Sequence, residues 1–359
     1  MRLHHNDGTL VHLSYSATVH RAEDLENLIA HLTRYAVPVR RKLGVARLGI
    51  GLYLAPAVAD QLVTDRIELV RLRRALAERG LEVVSVDASR LRSASEGPYD
   101  LDWAKPERYR YTLDLAKILA YLLPDDVESG SISTLPLGWR RDWPPALREI
   151  ASRRLDRLGR ELRSLASVTG RTIRVGFEPR PDCVIETTQQ ALGYLSEFDP
   201  SHVGVCLDAC HLAVGFEEPA AALRRLTASG LPLVKLQASC ALQADEPSDP
   251  ATLAAIEELP GRTGDSPDGP RWRAHTHIPV HAEPVAPFTT TRPVLEDTLK
   301  AVFAGDTAAT PHVEVQTTDW SVLPARQRPK TPAGLVTALA AELTWTRSHL
   351  TTLGLAQAA

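Results

Sequence analysis

Basic charge is not in surplus in this chain of 359 residues: lysine and arginine number 41 against 44 aspartates and glutamates, a formal net charge of −3. A general phosphate-backbone binder is therefore disfavoured, since nonspecific nucleic-acid affinity comes from excess cation, and no nucleic-acid partner is expected. Long apolar runs are missing too. None approaches the ~18 residues of a membrane span, so no membrane partner is expected. The opening, MRLHHNDGTLVHLSYS, has two histidines and an aspartate where a signal peptide would be basic and then apolar. The expected location is cytoplasmic. Cysteine is scarce, at Cys183, Cys206, Cys210 and Cys240, and the Cys206–Cys210 spacing lacks the second pair of a structural zinc knuckle. Buried free thiols are the plainer expectation. Neither an internal repeat beyond the β/α period nor a low-complexity tail is present. What remains is 44% hydrophobic and 24% charged, the profile of a globular protein with a substantial core.

Short apolar runs alternate with longer segments of helical period. The runs are 11-VHLSYSA, 47-RLGIGLYL, 81-LEVVSVDA, 131-SISTLPL, 172-TIRVGFEP, 202-HVGVCLD, 232-PLVKLQAS and 312-HVEVQTT. Helices are expected at about 22–43, 57–79, 107–123, 145–169, 187–197, 217–229, 293–304 and 332–353. The segment 145–169 is the clearest, with Leu147, Ile150, Leu155, Leu158, Leu162 and Leu165 near helical spacing and Gly170 as its stop. Alternation of this kind implies parallel pairing through crossover helices, and eight units close most simply into a (β/α)8 TIM barrel. One domain spanning 1–359 is expected, with long insertions near 88–110 and 241–274 that could act as lids, the second carrying a short helix near 250–258.

Within the strands, one parity is apolar and the other polar. Ile173, Val175 and Phe177 oppose Gly176 and Glu178; Val203, Val205 and Leu207 oppose Gly204, Cys206 and Asp208. Val234 and Leu236 oppose Lys235, Gln237 and Ser239, and Val313 and Val315 oppose His312, Glu314 and Gln316. In a barrel strand one parity faces the helices and the other the interior. A barrel serving only as scaffold would fill that interior with Val, Ile and Leu, because unpartnered buried polar groups are costly. Polar strand ends at the C-terminal mouth are where barrel enzymes keep their sites.

Those ends bring a particular chemistry. Carboxylate oxygens and imidazole nitrogens hold divalent cations at about 2.0–2.3 Å, so a metal site needs several of them converging from different strands. Glu178, Asp208, His211, Gln237, the pair His275 and His277 of 275-HTHIPVH, and Glu314 or Gln316 follow in that order. Singly each is weak: Asp208 could simply cap the next helix, and a lone histidine is more often structural. Together they predict a divalent metal, zinc, manganese or iron, held by Glu178, Asp208, His211, His275 and His277.

The same residues carry a resemblance. Glu178 and 207-LDACH resemble the metal-binding strands of the xylose-isomerase-like barrel superfamily, which includes sugar epimerases and endonuclease IV. More narrowly, 13-LSYSATVH, 106-PERYRYTLDLAKILAYLLP, 130-GSISTLPLGWR, 206-CLDACHLAVGFEEPAAAL, 233-LVKLQAS and 319-DWSVLPA resemble the EboE family of "metabolite traffic" barrel proteins. The resemblance implies a sugar-isomerase-like barrel with a divalent metal and a role in making or exporting a secondary metabolite. Departures are specific. Ser16, Ala17 and Thr18 stand where Cys-Thr-Asn is expected, although His20 remains; Gln316 replaces a glutamate; Gln237 occupies the strand where epimerases use histidine. A neutral amide is a poorer metal ligand than carboxylate or imidazole.

The leading expectation is an isomerase or epimerase acting on a sugar- or cyclitol-like polyol. Glu178 or Glu314, whichever is off the metal, would be the base, and Lys235 would stabilise an oxyanion or pair internally with a carboxylate. Arg180 would bind a substrate phosphate or carboxylate; His20, Gln237, Gln316 and Trp320 are the other expected substrate contacts. The alternatives are a non-catalytic binding or traffic protein, motivated by Gln237 and Gln316, and a metal-dependent hydrolase or oxidase on the same barrel. A small polyol is the expected partner, and homodimer formation is left open.

Overall fold

All eight apolar runs become parallel staves of one closed barrel in the computed structural model, which describes residues 1–91, 101–259 and 271–358. Strand β1 (Arg2–His4) lies antiparallel to the first stave, β2 (Leu10–Ser16). The chain continues through β3 (Leu48–Tyr53), β4 (Leu81–Asp87), β5 (Ser129–Thr134), β6 (Thr172–Phe177), β7 (Val203–Asp208) and β8 (Leu233–Ala238). It then leaves the barrel for β9 (Cys240–Ala244), β10 (Trp272–Ile278) and β11 (Thr289–Thr290), a small antiparallel sheet in the order β10-β9-β11. It returns as β12 (His312–Val315), which pairs with both β8 and β2 and closes the ring. A last strand, β13 (Ala356–Gln357), pairs with β1.

The alternation of the strands sets this architecture. Leu13, Ile50, Val175, Phe177, Val205, Leu236 and Val313 are completely buried between staves and helices, while His12, Ser85, Ser133, Lys235 and Glu314 fill the interior. The interior is crowded enough to dictate glycine. A Cβ on Gly51 would lie 2.0 Å from the Glu314 carboxylate, so the bare backbone of β3 is what admits that side chain.

Helices form where periodicity places them, with differences at their ends. The helix Pro145–Thr169 stops at Gly170 in the left-handed conformation (φ 67°). The single helix expected at 57–79 is two, Pro56–Thr64 and Arg66–Glu78, because Asp65 turns extended and caps Ile67 and Glu68. The one expected at 22–43 begins at Leu25 and contains a π-helical turn over Leu32–Ala36. Before Pro219–Ala228 comes a short helix, Ala209–Val214, capped by Asp208. The short helix of the second insertion is present at Pro250–Glu257. Residues 92–100, in the first insertion, and 260–270, in the second, lie outside the described residues. All four cysteines are free and buried.

Candidate functional site

Asp208 ends β7 and uses its two oxygens differently. Oδ1 accepts from the His211 backbone N–H (3.1 Å) and from the Ser239 hydroxyl (2.7 Å), which is the helix cap. Oδ2 faces the mouth of the barrel, 2.9 Å from Nε2 of His277. Capping and site chemistry thus share one carboxylate. Burial alone would raise its pKa; His211, His277 and the Ser239 hydroxyl hold it well below the ordinary carboxylate range.

Around Asp208 the expected ligands gather. His211 and Glu178 are both buried, with His211 Nδ1 3.2 Å from Glu178 Oε1. The His211 ring meets His275 and His277 edge-on, at centroid distances of 4.6 and 5.1 Å. Among the described residues neither ring nitrogen of His211 makes a hydrogen bond, Nδ1 lying near Glu178 without the alignment for one, an unusual state for a buried imidazole. Burial pushes its pKa well below the usual value, leaving a neutral ring able to act as ligand. His275 is likewise lowered, to about 3, chiefly by burial. Among the described residues, Asp208, His211 and His277 offer one ligand atom each, all within 4.8 Å of one another. One carboxylate and two imidazoles, with both His211 nitrogens orphaned, fit zinc, manganese or iron.

Gln237 and Gln316 take another position. Oriented to satisfy both its ends, the Gln237 amide donates to Glu178 Oε2 (3.1 Å) and Asp208 Oδ2 (2.9 Å), and its oxygen lies 2.7 Å from the Gln316 amide. A neutral amide thus joins the two strand-end carboxylates. Burial raises Glu178 to about 8, with Asp208 adding to the rise.

Lys235 and Glu314 are brought to each other and not to the mouth. Both are fully buried; Lys235 Nζ lies 3.2 Å from Glu314 Oε2 and donates to Ser133 Oγ (2.9 Å), while Ser85 Oγ donates to the same carboxylate (2.6 Å). Of the two expectations for Lys235, the internal ion pair is the geometry found. Burial would lower the ammonium pKa, but Glu314 keeps it raised. His20 is held among aromatic rings: Tyr15 Oη is 2.9 Å from its Nε2, and its ring stacks on Tyr35 at 4.9 Å. Arg180 lies over the Trp139 ring at 5.3 Å, and its positive charge opposes the rise at Glu178. Trp320 and His281 line a separate cavity of about 720 Å³.

One participant escaped the sequence reading. Asp87, buried at the end of β4, places its negative charge near Glu178 and Lys235. The parity of Ser85 and Asp87 carries the same signal that picked out the other strands. Ser239, named on the polar parity of the β8 run, proves to be the residue that orients Asp208.

A closed parallel barrel with a polar C-terminal mouth defines the class. The chain belongs to the xylose isomerase-like TIM barrel family, whose model matches residues 49–239. Solved structures with this fold include D-psicose 3-epimerase with D-tagatose from Clostridium cellulolyticum H10, at 15% identity and TM-score 0.55, over 95% of this chain and 99% of that one. IolI protein with a binding zinc atom is similar at 14% identity and TM-score 0.54, covering 96% and 99%. A xylose isomerase-like barrel protein from Mycobacterium smegmatis in complex with magnesium also matches at 14% and 0.54, covering 97% and 99%. At these identities the likeness is one of fold. No curated protein gives a significant match. No described helix is long and apolar enough to cross a membrane.

Proposed function

We propose that the protein is a divalent-metal-dependent isomerase or epimerase of a sugar- or cyclitol-like polyol, with the cation on Asp208, His211 and His277. The observation that carries this reading is the pair of ring nitrogens on buried His211 that make no hydrogen bond among the described residues, with its ligand atom within 4.8 Å of those of Asp208 and His277. His275 stands at the edge of that set, and Glu178, beside His211, is left off the cation. The solved neighbours with D-tagatose and with bound zinc support the sugar substrate and the metal class. The segment likeness to the EboE family supports a substrate from cyclitol-type secondary metabolism.

A cation bound there supplies Lewis acidity toward adjacent substrate oxygens. Glu178 is the base: in the metal-free protein burial raises its pKa to about 8, and a cation on Asp208 would draw it back toward the ionised form that accepts a proton. It takes the proton from the carbon beside the carbonyl and returns it to the neighbouring carbon on the same face, the isomerase outcome; an epimerase outcome requires a second acid on the opposite face. Gln237 fixes the carboxylate by donating to Oε2. Arg180, braced on Trp139, orients a phosphate or carboxylate of the substrate. Lys235 and Glu314 neutralise each other below the site, which leaves the base role to Glu178.

The amide that joins Glu178 to Asp208 favours one second reading, carriage of the polyol without chemistry. Exchange of substrate carbon-bound hydrogen with solvent deuterium separates the two across a panel of ketoses and cyclitols. Catalysis predicts exchange by the native protein and a loss of about 100-fold or more in Glu178→Gln, with the cation retained. Binding without exchange in the native protein contradicts it and favours carriage.

A further inference from the structure

His277 is not delivered by a barrel stave. It sits on β10, whose ladder with β9 runs from Trp272 to Ala274, shifts register, and resumes only at Ile278. Among the described residues, 275–277 therefore have no strand partner and bow toward Asp208 and His211. A ligand on such a bow needs other anchors, and two are present. On one side the His277 carbonyl accepts from the backbone N–H groups of Thr318 and Asp319, both at 3.0 Å. On the other stands Glu342, in the C-terminal helix Pro332–Thr352.

Glu342 is completely buried, an expensive place for a carboxylate without partners. Among the described residues, its side-chain hydrogen-bond partners all belong to the two loops beside the cluster. Val280 N–H donates to Oε2 at 3.1 Å and the Thr317 hydroxyl donates to the same oxygen at 2.6 Å, while His281 Nδ1 bonds Oε1. Val280 and His281 lie three and four residues beyond His277; Thr317 follows Gln316 directly. The segment between is stiff, since it contains Pro279 and the fully buried Ile278 and Val280. One carboxylate thereby ties the end of the insertion, the end of β12 and the last helix together.

We infer that Glu342 is a positioning residue that sets the His277 arm against Asp208 and His211, so that cation affinity depends on a helix contributing no ligand. The inference rests on the metal reading above. Partners of this kind, which orient a ligand without touching the metal, typically change affinity by about 10–100-fold when removed. Their absence costs order in the arm before it costs the fold.

The test compares native protein, Glu342→Leu and Glu342→Gln, all folded by circular dichroism, in zinc competition against a chromophoric chelator. Hydrogen–deuterium exchange over 274–281 is read on the metal-free proteins. The leucine variant is expected to bind zinc about 10–100-fold more weakly and to exchange faster across 274–281, with β6 and β7 unchanged. The glutamine variant, which keeps an acceptor for Val280 and Thr317, is expected to recover most of the affinity. Native-like affinity or unaltered arm exchange in the leucine variant overturns the inference. Should native protein bind no zinc, the metal reading fails, yet exchange in the arm still decides whether Glu342 orders it. If the leucine variant does not fold, Thr317→Val removes one strut alone and is read the same way.

Discussion

Asp208 can be divided by substitution, because its two oxygens have separate partners. Asparagine keeps an acceptor for the His211 N–H and the Ser239 hydroxyl, whereas alanine abolishes the cap as well. Loss of a helix cap costs about 1 kcal/mol. Thermal melts and metal analysis on both variants should therefore separate: Asp208→Asn loses the cation and stays close to native stability, and Asp208→Ala loses both. An asparagine variant that binds metal as the native protein does would place the cation elsewhere. At this scale the sequence was informative where chemistry follows residue type and strand parity. Glu178, Asp208, His211, His275 and His277 are all drawn to one cluster. Parity could not reveal direction along the barrel axis. Lys235 and Glu314 share the interior parity with Gln237 yet turn toward each other, a choice made by Ser85, Ser133 and the space over Gly51.

Among the elements, the eight staves were legible because each combines an apolar parity with a turn signal. The small sheet of β9, β10 and β11 was not. Its strands are joined by a long segment rich in proline and glycine, and its middle strand is pinned by pairing on both sides, a tertiary fact with no local period. The split of the helix at Asp65 escaped for a related reason: hydrophobic spacing continues across the break, and only the cap reveals it. The β3 stave offers a direct test of how tightly the interior is built. A methyl group on Gly51 must displace a carboxylate that Lys235 and Ser85 both hold. Gly51→Ala is expected to lower stability by about 1–3 kcal/mol, as overpacking of a closed core does, measured by urea denaturation. A variant as stable as the native protein would mean that Glu314 has room to move.

For the molecule as a whole, burial of uncharged histidines sets the response to acid. His12 and His20 are lowered to about 4, mainly by burial, and His312 falls well below its ordinary value of 6.5 for the same reason. Because the folded values lie beneath the unfolded one, the stability is complete above pH ~6.5 and is lost as pH falls toward 4, by up to about 1.4 kcal/mol per pH unit for each histidine. Glu178 acts in the opposite sense in metal-free protein: its raised value disfavours folding as pH climbs from its ordinary 4.5 toward 8. One glutamate stands against several histidines, so melting temperatures of metal-free protein should fall from pH 6.5 to 4.5. The slope should shrink in His12→Gln, whose position at the far end of β2 keeps it out of the metal cluster; an unchanged slope would contradict its burial as a neutral ring.

The measurement that bears most directly on the central claim is anomalous diffraction at the zinc edge from crystals of the zinc-loaded protein. A single peak bonded to a carboxylate oxygen of Asp208 and to ring nitrogens of His211 and His277, at about 2.0–2.2 Å, is the predicted result. No peak at that cluster, or a peak whose ligands exclude both histidines, would contradict it.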